Sequence, residues 1–185
     1  MAPKQRITKE MVMEAAFELL REGGEQKVLV KNIAEKLACS VQPIYSYCEN
    51  MDSLRGELSL MAGRALQEFV AGRIDREDPF ASTGKAYVDF AKEEPNLFKS
   101  YYLRKRPEIH SFSEMYDREA APGMSEYLVK SLGISLEAAR ELHMHMIIYS
   151  AGISFLLIST GGNLPQQELY DKLDHAYLAF AAKPE

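Results

Sequence analysis

Apolar residues recur at three- and four-residue intervals through most of this chain, and no window sustains an alternation of apolar with polar residues. That spacing is the mark of amphipathic helices and leaves no segment from which a strand would form. Thr8 is placed to cap a first helix, with Met11, Val12, Ala15, Ala16, Leu19 and Leu20 on one face, and Gly23-Gly24 stops it. A second helix is predicted over 30–37 with Ile33, Ala34 and Leu37 inward, then a short break at Ala38-Cys39. Ser40 would cap a third helix, 41–47, whose first turn holds Pro43, where a missing N–H costs little. Asp52 would cap a long helix over 53–73, and Asp75 to Pro79 is a charged seam. Beyond it helices are predicted at 80–93, 95–104, 108–120, 123–132, 135–160 and 166–181. Pro95, Pro107, Pro122 and Pro165 mark starts, and Gly133 and Gly161-Gly162 mark stops. The expected fold is all-α, with a three-helix N-terminal module joined by the long helix to a larger helical domain.

Length and charge limit what such a chain can be. Its 185 residues, 46% hydrophobic and 26% charged, have the composition of an ordinary globular protein. The opening Met1-Ala2-Pro3-Lys4-Gln5-Arg6 is polar, and the longest nearly apolar run, Met146 to Ile158, is shorter than the roughly 20 residues that span a bilayer. A soluble, intracellular protein is expected, without membrane association. Two cysteines, Cys39 and Cys48, suit a reducing compartment and lack the flanking ligands of a zinc site. The net charge of −5 argues at first against nucleic acid. Residues 1–64, however, carry nine Lys/Arg against nine Asp/Glu, so the deficit belongs entirely to residues 65–185. Charge alone decides nothing here, and the pattern has to.

Two short helices joined by a tight turn and braced by a preceding helix can present a helix to the major groove of DNA. Ile33, Ala34, Leu37 and Ile44 would form the small core of such a motif. The stretch Leu29-Val30-Lys31-Asn32-Ile33-Ala34-Glu35-Lys36-Leu37-Ala38-Cys39-Ser40-Val41-Gln42-Pro43-Ile44-Tyr45-Ser46-Tyr47-Cys48, followed by Asn50-Met51-Asp52-Ser53-Leu54, resembles the tetracycline-repressor (TetR/AcrR) family of transcriptional regulators. The shared signals are the Ile-Ala pair of the second helix, a small capping residue, and an aliphatic-Tyr pair followed two residues later by an aromatic. The resemblance covers about the first 65 residues. Leu29 stands where that family commonly has Thr, Ala38 where it has Gly, Cys48 where it has Phe, and Met51 where it often has Lys.

The resemblance implies a DNA-binding domain over 1–51, with the start of the connecting helix to about 65, and a helical effector-binding and dimerisation domain over 52–185. It places Val41, Gln42 and Pro43 at the groove, with Tyr45, Ser46 and Tyr47 at its walls. Gln42 carries the bidentate amide suited to adenine, and Val41 and Pro43 can touch thymine methyls. Ser40 and the hydroxyls of Tyr45 and Tyr47 would reach phosphates, with Lys31, Lys4, Arg6 and Lys9 as cationic contacts. Because 41–47 holds no Lys or Arg, weak non-specific binding and a shallow salt dependence are expected. The implied partners are an operator in double-stranded DNA, a second copy of the chain and a small effector, with repression as the expected sign.

In the larger domain, helix 135–160 begins amphipathic and becomes apolar nearly all round, so it must be buried on several sides. Ser150, Ala151, Gly152 and Ser154 are small enough to admit another helix closely. The resemblance implies a homodimer built on the last two helices, for which Ser150, Ile153, Ser154, Leu157, Leu169, Leu173 and Tyr177 are the candidates. Completion of a monomeric core is the alternative. It implies also an effector cavity among Tyr87, Phe90, Tyr101, Tyr102, Phe112, Met115, Tyr116, Met124, Tyr127, His143 and Met144, where adaptable methionines and tyrosines suit an apolar or aromatic compound. An ordinary core is the plainer reading for any one of these residues. Effector binding would tilt helix 53–73 and so change DNA affinity, for which a coupling of about 1.4–3 kcal/mol suffices.

An enzyme on a helical bundle is the rival class. The residues three before His110, His143, His145 and His175 are Pro107, Arg140, Leu142 and Lys172, so the Glu-x-x-His pairs of di-iron bundles are missing. His143 and His145 lie about 200° apart on a helix and cannot share a metal. There is no Gly-x-Ser-x-Gly elbow, no phosphate loop ending in Lys-Ser/Thr and no Cys-x-x-Cys. No catalytic residue, metal or cofactor is expected. A helical interaction protein that does not bind DNA is the second alternative.

Overall fold

A computed structural model describes residues 7–47 and 50–182. The expected contacts Lys4 and Arg6, and Cys48, fall outside the described residues. The fold is all-α, with ten α-helices and no strand among the described residues. The helices are α1 (Lys9–Gly23), α2 (Val30–Lys36), α3 (Gln42–Tyr47), α4 (Met51–Ala71), α5 (Pro79–Glu93), α6 (Pro95–Tyr102), α7 (Phe112–Glu119), α8 (Met124–Leu132), α9 (Leu136–Ser159) and α10 (Gln166–Ala181). A 3-10 turn at Glu25–Lys27 was not foreseen.

Local chemistry sets most boundaries. The Thr8 hydroxyl accepts from the N–H of Met11 at 3.3 Å and opens α1. Gly24, at φ 77, closes it by donating its N–H to the Leu20 carbonyl. Three expected caps move. α4 begins two residues earlier than predicted because the side chain of Asn50, rather than Asp52, accepts the Ser53 N–H at 2.8 Å. α3 begins at Gln42, and the carbonyl of Val41, one residue after Ser40, takes the first helical N–H groups. α7 starts at Phe112 rather than 108 because Ser111 caps it through the N–H of Glu114.

The chain divides into two compact units. The first holds residues through Leu66 together with Glu94–Arg104. In it α1 packs on α2, α3 and α6, burying Val12, Ala16, Leu20, Ile33 and Ile44. Gly63 on α4 is there because a Cβ would lie 2.5 Å from the ring of Tyr101 on α6. Ser59 and Ser100, both buried, share a hydroxyl hydrogen bond at 3.1 Å.

The second unit holds Gln67–Glu93 and the chain from Lys105 onward. Its core is built around α9, against which α5, α8 and α10 pack. Phe80, Val88, Leu128, Leu142, Leu157 and Leu173 belong to one apolar cluster. At 24 residues, α9 is long and apolar enough, by length and composition alone, to cross a bilayer. The apolar run read from the sequence understates this helix, whose first half is amphipathic. Core helices pass the same test, and three neighbours pack on this one.

Candidate functional site

The first unit presents a short helix on a tight turn. α2 ends where the N–H of Cys39 donates to the Ala34 carbonyl at 2.9 Å and that of Ala38 to the Glu35 carbonyl at 3.0 Å. This crossed pair is the Schellman arrangement, and it requires a left-handed residue at Ala38, where φ is 50. The turn then delivers α3, whose buried residue is Ile44. Val41, Gln42, Tyr45 and Ser46 are left exposed, Tyr45 at 61%, and Pro43 is half-buried. Ser40 and Lys31 are also exposed.

Two expected contacts have other employment. The Tyr47 hydroxyl donates to the carbonyl of Ile7 at 2.8 Å and ties α3 to the segment before α1. In this structure its proton is given to that carbonyl, so a phosphate would have to replace this partner. Lys9 is 2.9 Å from the Glu57 carboxylate. The α2 N-terminus shows what Leu29 costs, for at the N-cap position it offers no side-chain cap and is itself 47% exposed. Asn32 instead reaches back to the Lys27 carbonyl.

A cavity of about 50 Å3 lies in the second unit. α5 contributes Phe80, Thr83 and Tyr87, α9 contributes His143, Met146 and Ser150, and α10 contributes Leu173, Asp174 and Tyr177. His143 is 5% exposed, its Nδ1 lies 3.0 Å from the Tyr116 hydroxyl, and the edge of its ring meets Phe80. Desolvation pushes its pKa down to about 4, so the imidazole is neutral at physiological pH. Asp174 is paired with Lys85 at 3.1 Å.

Of the residues expected at a cavity, Tyr87 and His143 line this one. The others are placed elsewhere. Phe90 is buried edge-on against Phe69 at 5.2 Å. Tyr101 and Tyr102 belong to α6 in the first unit, where Tyr102 stacks on Phe98 at 4.4 Å. Met124 and Tyr127 join the apolar cluster. The Met115 sulfur accepts from Arg106. Phe112 is 72% exposed and, with Tyr116 and Met144, borders a separate depression along α7 and α9. Phe80, Met146 and Asp174 were missed; the available signal was the three- and four-residue spacing of Phe80/Thr83/Tyr87, His143/Met146/Ser150 and Leu173/Tyr177.

The candidate dimer residues point inward. Ile153, Ser154, Leu157 and Leu169 are buried within the unit, and Ser150, Leu173 and Tyr177 line the cavity. In one copy these side chains are largely taken up by packing inside the unit, Tyr177 being half-buried. The open face of α9 is instead Ile148, Gly152 and Leu156, with Leu156 at 64%, and α10 adds Leu178. Among the described residues no cluster of His, Cys, Asp or Glu could hold a metal. His143 is buried and His145 exposed on the same helix.

The fold and the turn together define an all-α chain with a helix-turn-helix. Over 95% of its length it superposes on 97% of the solved structure of a transcriptional regulator from Rhodococcus sp. Rha1, with a TM-score of 0.63. The sequence identity there is 14%, so the likeness is one of fold. The chain is similar in sequence to the HTH-type transcriptional regulator YobS of Bacillus subtilis (strain 168), with 26% identity over 117 residues. That match covers 60% of this chain and 61% of the relative's length. No family model matches the chain. Both names are those of transcriptional regulators, which are not enzymes.

Proposed function

We propose that this chain is a cytoplasmic transcriptional repressor of the tetracycline-repressor type that binds a palindromic operator as a homodimer and is released by a small effector. The observation that carries this reading is α3, a helix with one buried anchor and an exposed face of Gln42, Tyr45 and Ser46, delivered by a Schellman turn. The sequence likeness to a helix-turn-helix regulator supports it. Gln42 reads an adenine, and Tyr45, Ser40 and Lys31 hold the backbone. Two such helices about 34–36 Å apart read two half-sites. The open face of α9 with Leu178 of α10 pairs with its symmetry mate, since an exposed apolar stripe on a helix favours burial. The effector enters the α5/α9/α10 cavity, and α4, which carries residues of both units, transmits its effect.

A gel-shift against the DNA upstream of the protein's own gene tests this. Gln42→Ala should weaken the specific shift by about 1–3 kcal/mol, roughly five- to 150-fold, and Tyr45→Ala should weaken it without lowering Tm. With no cation on α3, the slope of log affinity against log salt should stay shallower than about −8. A wild-type chain that shifts no DNA overturns the reading in favour of a helical interaction protein.

A further inference from the structure

Three groups in the second unit form one hydrogen-bonded line, Ser125 Oγ, Tyr116 Oη and His143 Nδ1, with the His143 bond at 3.0 Å. Each is buried, at 8%, 5% and 5% exposure. Each also has one proton to give, while the line contains two bonds. If Nδ1 donated to Tyr116, Tyr116 would donate to Ser125. The serine proton would then have no acceptor among the described residues, which for a buried hydroxyl costs roughly 1–3 kcal/mol. In the opposite sense Ser125 donates to Tyr116 and Tyr116 to Nδ1, and both hydroxyl protons are used. The imidazole proton then sits on Nε2, which has no partner among the described residues, on a ring that lines the cavity.

The rest of the wall is unlike this nitrogen. Thr83 donates to the Pro79 carbonyl at 2.7 Å and Ser150 to the Ile147 carbonyl at 3.1 Å, so both offer the cavity lone pairs only. Asp174 is satisfied by Lys85, and Phe80, Met146 and Leu173 are apolar. Tyr87 and Tyr177 are half-buried, whereas the His143 ring is nine-tenths buried and its Nε2 is not sealed off, so its N–H is the most enclosed donor that the cavity can still reach. We propose that the cavity takes a small, uncharged, mainly apolar compound bearing a carbonyl oxygen, which accepts a hydrogen bond from Nε2–H of His143 in a tautomer held by Tyr116 and Ser125. This rests on the reading of the cavity as the effector site. The space of about 50 Å3 selects a compact compound, well below the roughly 300–1,000 Å3 of drug-sized sites. The burial that keeps the imidazole neutral disfavours a charged one as well.

The test uses the full chain. Nitrogen-15 NMR at pH 7.5 should show His143 protonated on Nε2; protonation on Nδ1 overturns the proposal. Cyclopentanone, cyclopentane and cyclopentylammonium are then titrated by NMR. Cyclopentanone should bind about tenfold tighter than cyclopentane, and cyclopentylammonium should not bind. Tyr116→Phe, which removes the proton given to Nδ1, should erase most of the ketone's advantage while leaving cyclopentane unchanged; His143→Leu should erase it wholly. Equal binding of ketone and hydrocarbon overturns the proposal, even if both alter the operator shift and so support an effector site. His143-dependent ketone binding with an unaltered operator shift supports the ligand chemistry and overturns the effector role.

Discussion

α3 and α9 are the shortest and longest helices among the described residues, and they divide their surfaces in opposite ways. α3 spends one side chain, Ile44, on its unit's core and leaves polar groups outside. α9 buries nine residues and still exposes Ile148 and Leu156. A helix needs only a narrow apolar stripe to hold its place, so α3 can be given over to what it presents. When the stripe extends round the helix, part of it is left over, and the surplus asks for a partner.

The sharpest way to break that contrast is a pair of adjacent leucines. Leu157 is fully buried, so Leu157→Ala should cost about 2–5 kcal/mol in urea unfolding. Leu156 is exposed, and Leu156→Ala should change stability of the monomer by no more than about 0.5 kcal/mol. Its effect should appear as a shift toward monomer in sedimentation and a weaker operator complex. If Leu156→Ala destabilises the monomer as much as Leu157→Ala, the division of faces on α9 is wrong.

The next largest effect concerns His143. An unfolded imidazole takes up its proton near pH 6.5, the folded one only near 4. Between these values the unfolded state binds more protons, so stability falls as pH drops from 6.5 and is whole above about pH 7. The loss by pH 4 amounts to about 3 kcal/mol. Arg140, whose guanidinium lies over the Tyr116 ring, and the Lys85–Asp174 pair are the nearby charges. Unfolding followed from pH 7.5 to 5 should show a decline in the wild type that His143→Gln flattens; parallel curves would sink the assignment.

The same two helices explain what could be read from the sequence. The order of helices and the anchor Ile44 follow from spacing, because polar and apolar residues alternate around α1, α2 and α3 with the helical period. On α9 the period vanishes where the helix becomes apolar all round, and phase is lost with it. That is why the pattern reads Ile153 and Leu157 as facing outward, where Ile148 and Leu156 are the exposed residues. Aromatic composition was equally blind to packing, since Phe90 and Tyr102 fill cores with the same rings that would line a cavity. Hydroxyl commitments such as Tyr47 to Ile7 join residues 40 positions apart, and no local pattern announces them.

The smallest effect bears on the α3 side of the contrast. Ala38 holds φ at 50 because the Schellman bonds of Cys39 to Ala34 and of itself to Glu35 demand a left-handed residue there. Its methyl group costs about 1–2 kcal/mol in that conformation. Glycine removes the cost but adds freedom to the unfolded chain, worth about 0.4–1 kcal/mol in the other direction. Ala38→Gly should therefore stabilise the protein by up to about 1 kcal/mol, a rise in Tm of roughly 2–4 °C for a chain of this size. Since the turn keeps its shape, operator affinity should be unchanged. A fall in Tm would mean that the left-handed turn is not what delivers α3, and the presentation of Gln42 and Tyr45 would need another origin.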